Sequence, residues 1–233
     1  VCTKILKRIV LIVVVLFNSQ AGYAARPVAI TRASVDLNGD RRTDSVAIKM
    51  TSGRLYQADV EDGGCMHGAP EYEGKFVIEV RIRGRKPVRQ NLNVLVGGFD
   101  VLSFWTEHWK IVFDDYNRDG RIDFNLGQYT NCGGWTYWLF TIAPNGRISQ
   151  LKVEDGNPSS EIFASDDANS TRIMRHTADG FYTKGYYNGA DPIGFYTSYY
   201  VWNAKKRLFI FKKDVYDRDQ KQTYYKPHWA KAK

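Results

Sequence analysis

The sequence predicts an all-β protein, built as a sandwich or as a propeller-like sheet. Aromatic residues are abundant, with Tyr 15, Phe 12 and Trp 6 against Met 3, and such side chains fit a pleated, half-buried surface. Apolar and polar residues alternate in about ten short runs closed by Gly, Pro, Asn or Asp, which is the pattern of strands joined by turns. No long segment carries the period of an amphipathic helix. The 233 residues, 43% hydrophobic and 25% charged, are too apolar for a disordered chain and suit one all-β domain after a leader.

In chain order, residues 1–24 read as a secretory signal peptide. Lys4, Lys7 and Arg8 form a basic start, Ile9 to Phe17 is an unbroken apolar run, and Ala21-Gly22-Tyr23-Ala24 supplies small residues for cleavage. The apolar run falls short of the roughly 20 residues that a membrane-spanning helix needs, and no second run follows. Residues 25–233 are therefore expected as a single domain, periplasmic or secreted, with no membrane attachment once the leader is gone.

The strands follow from alternation and turn chemistry. Phe76 to Arg83 alternates and meets Gly84-Arg85-Lys86-Pro87, so it reads as a strand entering a turn. Leu92, Val94, Leu95 and Val96, stopped by Gly97-Gly98, read as another short strand. Gly134 to Ile142 and Arg147 to Val153 flank Ala143-Pro144-Asn145-Gly146, and Asn-Gly supplies the positive φ of a tight hairpin turn. Tyr196 to Trp202 and Leu208 to Phe211 flank a polar loop at Asn203 to Lys206 and read as a later hairpin. A helical turn is expected only within Ser159 to His176, and Lys226 to Lys233 reads as a basic tail that Trp229 pins to the body.

Removing the leader lowers the formal charge from +8 to +5, because it holds three basic and no acidic residues. The mild excess favours an acidic partner such as a cell-wall polymer or an acidic protein face. The Lys and Arg residues are scattered and match no nucleic-acid reader motif, so no nucleic-acid partner is expected. Cys65 and Cys132 remain after the leader, and an even pair in an oxidising compartment is expected as a disulfide. A zinc site from Cys65, His67 and Cys132 fits poorly, since Cys-x-His with one distant Cys is not a zinc spacing.

Two segments share one spacing, D-x-N-x-D-x-x-x-D. They are Asp36-Leu37-Asn38-Gly39-Asp40-Arg41-Arg42-Thr43-Asp44 and Asp115-Tyr116-Asn117-Arg118-Asp119-Gly120-Arg121-Ile122-Asp123. Side-chain oxygens at loop positions 1, 3, 5 and 9, with the backbone carbonyl of position 7, can curl around a hard cation such as Ca²⁺, which takes 6 to 8 oxygens. The predicted ligands are Asp36, Asn38, Asp40, Arg42 (carbonyl) and Asp44 in the first loop. In the second they are Asp115, Asn117, Asp119, Arg121 (carbonyl) and Asp123. Gly120 at position 6 permits a sharp turn, where the first loop has Arg41, so the second loop is the stronger match. Position 12 is Ala47 or Leu126 rather than a bidentate Glu, which excludes a helix-loop-helix sensor.

Asp115 to Asp123 entering a strand, with the run Gly133-Gly134-Trp135-Thr136-Tyr137-Trp138-Leu139-Phe140, resembles the calcium loops of FG-GAP and VCBS-type β-repeat proteins. The wider pattern is similar to exported bacterial all-β proteins that resemble periplasmic lysozyme inhibitors, some acting as immunity proteins against peptidoglycan hydrolases. Such inhibitors use a Ser-Gly-x-Tyr loop and a motif ending Thr-Lys-Gly. Ser52-Gly53-Arg54-Leu55-Tyr56 carries the first with one additional residue, and Thr183-Lys184-Gly185 matches the ending of the second.

The resemblance implies a calcium-binding protein that binds and inhibits a lysozyme-like enzyme or engages a cell-wall glycan. A loop Gly127-Gln128-Tyr129-Thr130-Asn131, stiffened by the neighbouring calcium loop, is expected to present Tyr129, Thr130 and Asn131 to a glycan cleft. The stretch Tyr186 to Tyr196, with Asn188, Gly189 and Tyr196, is a second candidate surface. The alternative is a secreted glycan-active hydrolase or carbohydrate-binding protein, for which Glu107 and His108, between Trp105 and Trp109, are the local acid and base candidates. No nucleophile elbow, zincin or P-loop pattern occurs, so binding is expected over catalysis.

Overall fold

The computed structural model describes residues 27–57, 70–106, 111, 113–131, 134–154, 161–164, 175–187 and 189–218. The segment expected as a leader, Cys65, Cys132, Glu107, His108, Asn188 and residues 226–233 lie outside the described residues. Apart from one helical turn, the elements are strands: β1 (Val28–Val35), β2 (Asp44–Gln57), β3 (Pro70–Arg81), β4 (Val88–Asn91), α1 (Leu92–Leu95), β5 (Leu102–Trp105), β6 (Phe113–Asp114) and β7 (Ile122–Asn131), then β8 (Gly134–Ile142), β9 (Ile148–Glu154), β10 (Ile162–Ala164), β11 (Arg175–His176), β12 (Gly180–Tyr187), β13 (Gly194–Asn203) and β14 (Leu208–Asp217).

These form two sheets. The smaller runs β1-β2-β3-β4, with β5 also on β3; the larger runs β11-β12-β13-β14-β9-β8-β7-β6, with β10 also on β8. All pairings are antiparallel except β14 on β9. The larger sheet curls, for β10 is bonded to β8 yet packs against β12. The all-β expectation holds, and the strands belong to two continuous sheets rather than to the blades of a propeller.

Period-two alternation explains where the core sits. Val46, Ile48, Phe76, Ile78 and Val80 of the smaller sheet meet Phe124, Leu126, Trp138, Phe140 and Ile142 of β7 and β8 in one cluster. Tyr137, Leu139, Leu151, Val153, Ile162, Phe181, Tyr200 and Phe209 fill a second cluster inside the curl. Strand β8 is thus buried on both faces, and Trp138 and Tyr137 are each 0% exposed. Gly127 makes room for this packing: a Cβ there would lie 2.2 Å from the Tyr137 ring.

The predicted hairpins form as read. Leu139 pairs with Leu151 and Ile142 with Ile148, around a turn in which Gly146 has φ +83°. Tyr200 pairs with Phe211 and Asn203 with Leu208. The run Leu92 to Val96 is not a strand. Asn91 caps a helical turn by accepting from the Val94 N–H at 3.2 Å, which places Leu92 and Val96 side by side in the core. The buried Asn93 amide accepts from the Phe76 N–H at 2.8 Å and donates to the Phe99 carbonyl at 3.1 Å. Within Ser159 to His176, the described residues include strands β10 and β11 and no helix.

Candidate metal centre

Both aspartate loops are hairpin connections of the same register. The first joins β1 to β2, with Val35 opposite Asp44; the second joins β6 to β7, with Asp114 opposite Asp123. In each, the residue at position 9 lies at the start of the following strand, Asp44 as the first residue of β2 and Asp123 as the second of β7, and is buried, at 2% and 0% exposure respectively.

The internal hydrogen bonds largely repeat, differing in one donor to position 1, which is position 4 in the first loop and position 5 in the second. Asp36 accepts from the N–H groups of Gly39 and Arg41 at 2.8 Å each, and Asp115 from those of Asp119 and Gly120 at 3.1 and 2.9 Å. Asn38 accepts from the Asp40 N–H and Asn117 from the Asp119 N–H, both at 3.1 Å. Asp40 accepts from the Arg42 N–H at 2.8 Å and Asp119 from the Arg121 N–H at 2.9 Å. These bonds turn the side chains at positions 1, 3 and 5 inward while leaving each carboxylate further lone pairs, since an ionised carboxylate offers about four acceptor sites. Among the described residues, no three Asp, Glu, His or Cys side chains already converge tightly enough to clasp a metal ion.

The backbone is also shared. Positions 4 and 6 are left-handed in both loops, as Gly39 (φ +75°) and Arg41 (φ +61°) in the first and Arg118 (φ +56°) and Gly120 (φ +79°) in the second. The first loop makes the same turn with Arg41 at position 6, its glycine standing two positions earlier. Such a conformation costs a non-glycine residue about 1–2 kcal/mol. In the second loop Arg118 is compensated, because its guanidinium donates to the carbonyls of Thr177 at 2.7 Å and Ala178 at 2.9 Å.

The loops diverge at position 9. Asp44 has both oxygens occupied, one by the Leu37 N–H at 3.0 Å and one by the Arg83 N–H at 2.8 Å. Asp123 Oδ2 accepts from the Tyr116 N–H at 3.0 Å, whereas Oδ1 is buried with no hydrogen-bond partner. Burial, reinforced by the charges of Asp119 and Asp115, pushes the Asp123 carboxyl up to about 7 against the lowering influence of the Thr141 hydroxyl and the Tyr116 N–H. Asn125 Oδ1 and Thr141 Oγ1, on the same face of β7 and β8, are likewise buried without a well-formed hydrogen bond, the Thr141 hydroxyl facing Asp123 from the neighbouring strand. Polar residues in otherwise apolar strands are the sequence signal for this group, distinct from the D-x-N-x-D spacing.

The other predicted surfaces are placed differently. Gly127 to Asn131 is strand, not loop: Gln128 pairs with Thr136, Tyr129 with Trp135 and Asn131 with Gly134, with a bulge between Tyr129 and Asn131. Tyr129 lies about 20 Å along β7 from Asp123, the end of the aspartate loop, at roughly 3.3 Å per residue, so the two are not neighbours. Tyr129, Thr130 and Asn131 sit instead at the tip of the β7–β8 hairpin.

Gly189 is an exposed turn residue. Tyr196 is half-buried, donates to the Pro192 carbonyl at 2.6 Å, and joins Tyr187 and Tyr216 at ring-centroid distances of 5.6 and 5.3 Å. Beside them Ser198 donates to Asp214 at 2.6 Å.

The inhibitor-like motifs have structural contacts. Gly53 (φ +138°) faces Gly74 across a β2–β3 irregularity, where a Cβ on Gly53 would come within 2.2 Å of the Glu73 carbonyl oxygen. Thr183 is fully buried and Lys184 pairs with Asp217 at 3.1 Å.

No protein-family model matches this chain, and neither a curated protein nor a solved structure is detectably similar to it.

Proposed function

We propose that this is a calcium-stabilised β-protein of the cell envelope that acts by binding a peptidoglycan hydrolase, in the manner of an immunity protein. The observation that carries the calcium reading is Asp123, fully buried and with one oxygen lacking a partner at the floor of a loop rimmed by Asp115, Asn117 and Asp119. A divalent cation there would engage the idle oxygen and neutralise the charge that burial opposes. The fold is read as a sandwich, in keeping with the core shared between the smaller sheet and β7–β8.

Calcium acts on the body of the protein rather than on a loop beside it, since occupancy of a native-state site stabilises the whole fold. The β7–β8 hairpin tip then offers Tyr129 as an anchor of the kind interface hot spots favour. The exported location implied by the leader and the resemblance to lysozyme-inhibitor-like proteins supply the target class. The test is lysis of cell-wall substrate by a cognate lysozyme-like enzyme. The purified protein slows it, and Tyr129→Ala loses the effect while melting at the same temperature. Release of sugar fragments by the protein alone, abolished by Glu107→Gln, would establish the hydrolase reading instead.

A glycan-binding reading is favoured by one further observation, the group of Tyr187, Tyr196 and Tyr216 beside the exposed Asp214. Aromatic faces stack on sugar rings, and a carboxylate accepts from sugar hydroxyls. Retention on insoluble peptidoglycan, lost in Tyr216→Ala, distinguishes this reading from enzyme binding.

A further inference from the structure

The outer face of the smaller sheet carries a feature that neither the calcium loop nor the hairpin tip uses. Cross-strand register places Ser34 beside Ser45 and Ser45 beside Arg81, and puts Arg32, Ala47, Glu79 and Arg89 in the next row. Small residues therefore form the floor of a cleft of about 460 Å³, and Arg32, Arg81, Arg83 and Arg85 are among the residues lining it.

The charge in this cleft is not cancelled from within. Burial alone would raise the Glu79 carboxyl, but hydrogen bonds from Arg81, Lys49 and Arg89 outweigh it and bring it down to about 2, so three cations share one anion. Asp44, the acidic residue in the lining, is 2% exposed and has both oxygens occupied by backbone N–H groups. Arg85 donates to the Pro144 carbonyl at 3.1 Å. The side chains of Arg32 and Arg83 make no hydrogen bond or ion pair among the described residues. Guanidinium groups with unused donor forks above a floor of serine hydroxyls match the oxygens of phosphate, which arginine binds in bidentate fashion.

We propose that this cleft binds a phosphodiester-linked polymer without bases, such as a poly(glycerol phosphate). Arg32 lies in β1, level with Glu79 of β3, whereas Arg83 lies in the turn beyond the end of β3, so the two guanidinium-bearing residues are set apart along the cleft, which suits successive phosphates of a chain better than one free ion. The cleft volume also exceeds that of a single phosphate several-fold. Among the described residues no aromatic side chain lines the cleft, which gives it no stacking platform of the kind with which proteins hold single-stranded nucleic acid. The basic excess of the chain points to the same sign of partner. This site shares no residue with the second aspartate loop or with the β7–β8 hairpin tip.

The experiment is fluorescence anisotropy of a labelled glycerol-phosphate oligomer titrated with the full chain in calcium-free buffer. Inorganic phosphate and a single-stranded DNA oligomer of equal charge serve as competitors. Arg32→Ala combined with Arg83→Ala weakens binding by about tenfold or more, since each removes a charge-assisted contact, while the circular dichroism spectrum is unchanged. Arg54→Ala, which alters an exposed ion pair with Glu73 elsewhere on the same sheet, changes affinity less than about twofold. The oligomer outcompetes free phosphate. Wild-type affinity in the double variant, an equal loss in Arg54→Ala, or tighter binding of DNA than of the oligomer would each overturn the assignment.

Discussion

The two aspartate loops have the same spacing, the same hairpin register and the same pair of left-handed residues, yet they finish in different chemical states. In the first, a backbone N–H from Arg83, beyond the end of β3, completes the coordination of Asp44. In the second, no backbone N–H among the described residues plays that part for Asp123, whose second oxygen is held in a site that disfavours its charge. A ligand pattern read from spacing therefore describes a loop's shape, while the element packed behind the loop decides whether its deepest carboxylate still needs a partner.

The largest expected effect separates the loops by metal response. Saturating calcium raises the melting temperature relative to EDTA, by an increment equivalent to about 2.7 kcal/mol when free calcium is a hundred times the dissociation constant. Asp123→Asn removes that rise and Asp44→Asn leaves it in place. Equal loss in both variants would erase the distinction between the loops.

The next is a pH effect measured without calcium. The Asp123 carboxyl lies near 7 in the folded protein against an ordinary 3.8, so the folded state holds the proton more tightly. Its contribution is fully present below about pH 4 and is lost as pH rises through about 7. Denaturant titrations across that window should show stability falling in the wild type. The decline is flattened in Asp123→Asn and shrinks when calcium is added, because a bound cation favours the ionised form.

The smallest effect concerns the exchanged glycine and arginine. Arg41 is exposed at φ +61°, so Arg41→Gly stabilises by about 0.5–1 kcal/mol, relief of the left-handed strain exceeding the added chain entropy. Arg118→Gly relieves the same strain but forfeits the bonds to Thr177 and Ala178, and is neutral or destabilising by about 1 kcal/mol. Urea midpoints of the two variants test the contrast, and stabilisation by both would remove the role assigned to the Arg118 tether.

What the sequence reveals and what it hides follow the range of the interactions. Asn145-Gly146 marks its hairpin because the turn chemistry is local, and the carboxylate loops declare themselves for the same reason. Leu92 to Val96 has an apolar composition that fits a strand, and its helical turn follows from the Asn91 cap and the use of Asn93 to serve the β3 backbone at Phe76. Gly127 to Asn131 looks like a loop because its residues are small and polar, but pairing with β8 makes it strand and Gly127 is there to admit Tyr137. The difference between Asp44 and Asp123 was hidden because the deciding donor, the Arg83 N–H, lies 39 residues from Asp44.

Strand β8 supplies apolar side chains to both clusters, so neither half of the molecule can open without exposing it. Its amide protons from Tyr137 to Phe140 should therefore be the last to exchange with deuterium, doing so only through global unfolding. Cleavage between the two sheets would then yield no autonomous fragment, because whichever piece keeps β8 leaves one of its faces bare.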